Sequence, residues 1–331
     1  MELRQLGRTG VRVSEACLGA MTFGRETPED ESYEILARYL DAGGNFIDTA
    51  NAYNHGASEE ILGRALEGRR DQIVLATKCR MPMGDGPNQR GASRRVIREQ
   101  VDASLRRLRT DWIDLYQIHC WDRDTPIEET VSTLDDLVRE GKVRYVGASN
   151  YTGWQLATAL GVARAGGWEP YVSLQPQYSL VSRDIERELL PLAEYAGLAV
   201  LPWSPLGGGM LSGKYRPGET PAANTRAADR TPSAVLMRMR IQEERNFAVA
   251  QTVADLADEV GKTMAQVALN WVLHAPGVTA PILGARTVAQ IEDNLGAIGW
   301  RLDAVARQRL EDASGIDRGY PYDFIDWIHA R

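Results

Sequence analysis

The stretch "GGNFIDTANAYNHGASEEILGRAL", residues 43–66, decides how the chain is read. It opens as a short apolar strand, places Asp48, Asn51, Tyr53, Asn54 and His55 within eight residues, and continues with helical periodicity in "SEEILGRAL". Strand, polar turn and helix together make one βα unit, and the unit recurs. Short runs rich in Val, Ile and Leu appear at "ACLGAM" (16–21), "IVLATK" (73–78), "IDLYQIH" (113–119), "VRYVGAS" (143–149), "YVSLQPQ" (171–177), "LAVLPWS" (198–204) and "APILGA" (280–285). Helical patterns such as "ESYEILARYLDAGG", "SRRVIREQVDASLRRL" and "IEETVSTLDDLVREGK" lie between them. With "NFIDTA" this gives eight strand candidates, the number that closes a (β/α)8 TIM barrel. An open doubly wound sheet is the rival on pattern alone. The opening "LRQLGRTGVRVS" reads as a β-hairpin turning at Gly7 to Gly10, placed to cap the barrel bottom. Thr27 and Ser58 are expected to cap helices, and Gly43, Gly141 and Gly197 to end them. Residues 205–242, rich in Gly, Pro, Arg and Ala, form one long irregular segment of the kind that usually serves function or stays disordered. The whole of 1–331 is read as one domain.

Composition narrows the function classes. The 331 residues are 44% hydrophobic and 25% charged, ordinary for a globular chain. No run of about 18 uncharged apolar residues is present, and "MELRQLGRTG" lacks a signal-peptide core, so the chain is expected to be soluble and cytoplasmic. A net charge of −7 argues against a general nucleic-acid surface, and the basic run "RRVIREQVDASLRRLR" reads as a solvated helix face. Cys17, Cys79 and Cys120 are odd in number and lie in apolar segments, which suits buried thiols.

A polar or unusual residue stands at the same end of nearly every strand: Asp48, Lys78, His119, Ser149 with Asn150, Gln175, Trp203 with Ser204, and Gly284 with Arg286 close behind. In a barrel these ends meet at one mouth, the face that carries the active site. Asp48, Tyr53, Lys78 and His119 include no obvious nucleophile and base pair for acyl transfer, and the chain has no HExxH or CxxC spacing for a metal. They do include a phenol that can give a proton and an ammonium that can tune it. Asp48 would hold Lys78 in place and His119 would position a substrate oxygen. Such a set suits protonation of an oxygen becoming an alkoxide, and it needs a hydride donor from outside the protein.

Taken together, "GGNFIDTANAYNHGASEEILGRAL", "IVLATK", "WIDLYQIH", "EGKVRYVGASN", "LAVLPWSPLGGGMLSGKY" and "PILGARTVAQIEDN" resemble the aldo-keto reductase superfamily. The resemblance implies NADP(H) bound without a Rossmann fold, with Asp48, Tyr53, Lys78 and His119 as a catalytic tetrad. It assigns cofactor contacts to Gly19, Met21, Asp48, Ser149, Asn150, Gln175, Trp203, Ser204, Leu206, Gly208, Lys214, Gly284, Arg286, Gln290 and Asn294. Met21 and Phe23, with Met81, Trp121 and the 205–242 loop, are expected to shape the substrate pocket. Asn51, Asn54 and His55 receive no role and are expected at the loop and pocket rim. Gly208 to Lys214 copies P-loop spacing, but Tyr215 stands where Ser or Thr is required. Many members carry lysine and serine after the last strand and arginine at the position of Gln290; here Gly284, Ala285, Arg286 and Thr287 resemble the bacterial and potassium-channel β-subunit branches. There an arginine near the start of the last helix can take the 2′-phosphate. The tail "YPYDFIDWIHAR" resembles those branches too. The expected activity is reduction of an aldehyde or ketone; a slow-turnover regulatory or sensor subunit is the alternative. The expected partner is a small carbonyl compound, with no nucleic acid, no membrane, and a monomer by default.

Overall fold

Strands β1 (Leu3–Gln5) and β2 (Arg12–Ser14) pair antiparallel, and the chain then enters β3 (Cys17–Gly19), β4 (Phe46–Asp48), β5 (Val74–Cys79), β6 (Ile113–Ile118), β7 (Val143–Ser149), β8 (Ser173–Gln175), β9 (Ala199–Val200) and β10 (Ile282–Gly284). The computed structural model describes residues 1–220, 222, 225 and 243–330. Strands β3 to β9 lie side by side in chain order, all parallel, and β10 returns to pair with β3. Thr279 N donates to Val200 O (2.9 Å) and Ile282 N to Pro202 O (2.8 Å), which joins the two remaining edges and closes the (β/α)8 barrel. The part of the 205–242 stretch beyond 220, apart from 222 and 225, lies outside the described residues.

Side chains alternate across each strand, and the two faces meet different partners. Leu18, Ile47, Leu75, Tyr116, Val146 and Leu174 point outward into the main core, which also contains Leu36, Leu62, Ile97, Leu134 and Leu156 from the surrounding helices. Cys17, Phe46, Ala76, Leu115, Ala199 and Ile282 gather instead in a second cluster within the lumen. Leu6 and Val13 of the hairpin join that cluster and are fully buried, so the hairpin fills the barrel bottom. Gly7 makes the close approach possible: its φ is +58°, and a Cβ there would lie 2.6 Å from Val172 O.

Two expected helix caps are displaced. The first helix spans Glu29–Asp41 with Pro28 as its N-cap, and Thr27 Oγ1 bonds Thr22 Oγ1 and Arg286 O instead. The helix Ala57–Ala65 starts after Gly56, while Ser58 Oγ donates to Ala20 O across to β3. In both cases a long-range acceptor wins over the local amide. Gly43, Gly141 and Gly197 do follow their helices in the left-handed region. The basic helix Arg94–Leu108 buries Val96, Ile97 and Val101 and sends Arg94 and Arg98 to Asp136 and Glu140, as a solvated face should. Among the described residues no helix is long and apolar enough to cross a membrane.

Candidate active site

The lumen alternation continues upward. Two residues beyond the apolar layer, the same strand faces carry Gly19, Asp48, Lys78, Gln117 and Gly284. Lys78 is fully buried, and its ammonium donates to Asp48 Oδ2 (2.5 Å), Thr49 O (2.9 Å) and Tyr53 Oη (3.2 Å). Burial presses it toward the neutral form, but Asp48 and Tyr53 outweigh that, and its pKa lies above the ordinary lysine value. Tyr53 follows the end of β4 and meets His119, at the end of β6, edge to face with ring centroids 5.8 Å apart. Burial first, then the Lys78 and Arg80 charges, push the His119 pKa down to about 3, so its imidazole is neutral across the physiological range. Its Nδ1 is buried without a hydrogen-bond partner. The four residues of the expected tetrad thus stand together at the C-terminal mouth of the barrel.

Beside them runs a second connected group. Ser149 Oγ donates to Gln175 O (2.8 Å), Asn150 Nδ2 donates to His119 O (2.9 Å) and Ser149 Oγ (2.9 Å), and Trp203 Nε1 donates to Asn150 Oδ1 (3.0 Å). Asn150 and Ser204 both hold positive φ, a conformation these bonds support. Ser204 Oγ accepts from Gly208 N (2.9 Å), and Gly207, Gly208, Gly209 and Gly213 all lie in the left-handed region. The Gly207, Gly208 and Gly209 amides close this turn on Ser204 and Leu206, with exposed Lys214 packed over Gly209 and half-buried Leu206 at its start. On the far side, Gly284 is exposed at the end of β10, Arg286 N donates to Gln290 Oε1 (2.9 Å), and Asn294 Nδ2 donates to Gly284 O (3.2 Å). A lysine and an arginine spread across one rim, with polar side chains between them, fit an extended, anionic dinucleotide in kind.

Other expectations are moved. Phe23, expected at the pocket wall, is 1% exposed and belongs to the main core, because the chain turns inward after Met21, which is 37% exposed. Asn51, expected at the rim, is fully buried beneath it. Asn54 Nδ2 donates to Met21 O (3.2 Å) and Phe23 O (2.6 Å), tying the tetrad loop to the loop after β3. His55 is exposed. Met81 is half-buried near the end of β5, and Trp121 packs edge-on against Tyr151 and Trp154. The tail forms a helix, Tyr322–His329, and Tyr322 Oη donates to Glu188 Oε1 (2.7 Å). One residue had not been singled out at all: Gln117 Nε2 donates to Asp48 Oδ1 (3.2 Å), and its signal was an amide two positions after Leu115 on an otherwise apolar strand face.

Residues 15–314 match the Aldo/keto reductase family. The chain is 43% identical over 323 residues to the uncharacterized oxidoreductase YrpG of Bacillus subtilis (strain 168), covering 94% of this chain and 95% of that one. It is 36% identical to versiconal hemiacetal acetate reductase of Aspergillus parasiticus, covering 94% and 96% of the two chains. With a probable voltage-gated potassium channel subunit beta of Arabidopsis thaliana the identity is 35%, over 90% and 91%. A closed barrel whose mouth gathers these side chains, and a match over nearly the whole length, lead to one conclusion: the chain belongs to the aldo/keto reductase family.

Proposed function

We propose that the protein reduces the carbonyl group of an aldehyde or ketone to an alcohol, using NADP(H), with Tyr53 as the general acid. The carrying observation is the buried Lys78 ammonium, held by Asp48 and donating to the Tyr53 hydroxyl at 3.2 Å. A fixed cation beside a phenol stabilises the phenolate left when the proton departs. Neutral His119 offers an N–H to the same substrate oxygen. Ser149, Asn150 and Gln175 would bind the nicotinamide amide and Trp203 its ring face. Ser204, Leu206, Gly208 and Lys214 would cover the pyrophosphate, with Gly19, Met21 and Gly284 lining the path. Arg286, Gln290 and Asn294 would hold the adenosine end and its 2′-phosphate. Bound there, the reduced nicotinamide supplies a hydride, for which the protein has no group of its own. Met81 and Trp121 would stand at the substrate side. The relatives named as reductases support this reading.

A second reading, a slow-turnover NADP(H)-binding regulatory subunit, is supported by the similarity to the potassium-channel subunit. Absorbance of NADPH with a panel of aldehydes and ketones separates the two: steady consumption marks the enzyme, a single turnover the sensor. Tyr53→Phe keeps the ring and removes the proton donor. Reduction should fall by roughly 10²–10⁴-fold while NADPH still quenches tryptophan fluorescence. A phenylalanine variant as active as the parent would remove Tyr53 from the chemistry.

A further inference from the structure

The tetrad leaves one oxygen of Asp48 unexplained. Oδ2 receives the Lys78 ammonium; Oδ1 receives Gln175 Nε2 at 2.8 Å and Gln117 Nε2 at 3.2 Å. All three side chains are buried in the lumen, and Gln175 Nε2 also lies 3.5 Å from Gln117 Oε1. A carboxylate only accepts, so both amides must turn their nitrogens toward it. Room for the second amide comes from β7: a Cβ at Gly147 would lie 3.2 Å from Gln117 Cγ and would collide with Ser173 Oγ.

We propose that Gln117 is a positioning residue for carbonyl reduction: together with Gln175 it holds Asp48 Oδ1, keeps Oδ2 on Lys78, and so fixes the ammonium against the Tyr53 hydroxyl. The inference rests on the reading of Tyr53 as the acid. A carboxylate with one oxygen unheld is free to turn and offer both oxygens to Lys78, which draws the ammonium away from the phenol. Gln175 alone is a divided support, because the proposed cofactor also engages it. Gln117 has no such second duty. The ionisable groups around this point are Asp48, Lys78, Tyr53 and His119, with Arg80 acting on His119 and the buried Cys17 thiol close enough to feel Asp48.

Two substitutions test it. Gln117→Met keeps length and removes the donor; Gln117→Asn keeps the amide but stops it one carbon short of Asp48. We expect kcat to fall by about 10-fold in Gln117→Met, as for loss of one hydrogen bond to a charged group, with NADPH affinity by tryptophan quenching within about twofold of the parent. Independently of activity, the ultraviolet tyrosinate titration step that disappears in Tyr53→Phe should move to higher pH in Gln117→Met and in Gln117→Asn alike. A purely structural role would lower thermal stability and leave that step in place. A folded variant with the parent's kcat and tyrosinate step overturns the inference, and if Gln117→Met does not fold, Gln117→Asn decides it. Should the parent itself reduce no carbonyl compound, the reading of the enzyme fails instead, while the titration still judges whether Gln117 acts through Asp48 on Tyr53.

Discussion

Replacing Lys78 by methionine is the most informative single perturbation of the site. The side chain is fully buried and its three hydrogens go to Asp48, Thr49 and Tyr53, so an apolar stem of similar length removes the charge with little change in volume. At 3.2 Å, a full ammonium–phenolate attraction is ~5 kcal/mol at an effective dielectric near 20. Asp48 opposes the ammonium, and the proton is only partly transferred at the transition state. About half should therefore reach the barrier, which is ~2.5 kcal/mol or roughly 10²-fold in kcat. The same change strands the buried Asp48 carboxylate, a loss of about 3–5 kcal/mol in stability when one partner of a buried pair is removed. NADPH absorbance with a fixed aldehyde, followed from neutral to alkaline pH, gives the rate, and urea unfolding gives the stability. A Lys78→Met protein with a rate within threefold of the parent and an unchanged pH profile would refute the tuning role, wherever Lys78 lies.

Two further outcomes follow from the rim and the imidazole. Arg286→Ala should weaken NADPH binding by about 10- to 150-fold and NADH binding little, since a charge-assisted bond to phosphate is worth ~1.5–3 kcal/mol; equal weakening of both, by tryptophan quenching, would detach Arg286 from the 2′-phosphate. His119 has an ordinary value of 6.5 in the unfolded chain and about 3 when folded, so the unfolded state takes up a proton that the native state refuses. Native stability should therefore fall with acidification between those values by up to ~1.4 kcal/mol per pH unit, and His119→Gln should flatten the curve of urea midpoint against pH in that window. Parallel curves for the two proteins would show that His119 is not the group responsible.

The barrel and the tetrad were legible because polar residues interrupted apolar runs at one end of each strand, a pattern that a parallel sheet turns into a single mouth. Gln117 was not, because both faces of β6 are buried and alternation then gives no hydropathy contrast to tell lumen from helix layer. Thr27 and Ser58 misled for another reason: their hydroxyls satisfy carbonyls on distant elements, Arg286 O and Ala20 O, which no local pattern records. Phe23 stands two residues after the exposed Met21, and only the turn between them decides that one faces the mouth and the other the core.

The hairpin that fills the barrel bottom also makes the final seal of the lumen depend on the far end of the barrel. Arg4 donates to Leu273 O, Val278 O and Thr279 O, and Gly7 lies against Val172 and Ala199, so residues 4 and 7 find these partners on the sixth to eighth barrel strands and the segments leading into them. Contacts separated by as many as 275 residues reward the chain only after their long loop has closed. Leu6 and Val13 share their cluster with the early Phe46, Ala76 and Leu115, but the Arg4 bonds wait for residues near 280, so the seal of the lumen from below is completed late in folding.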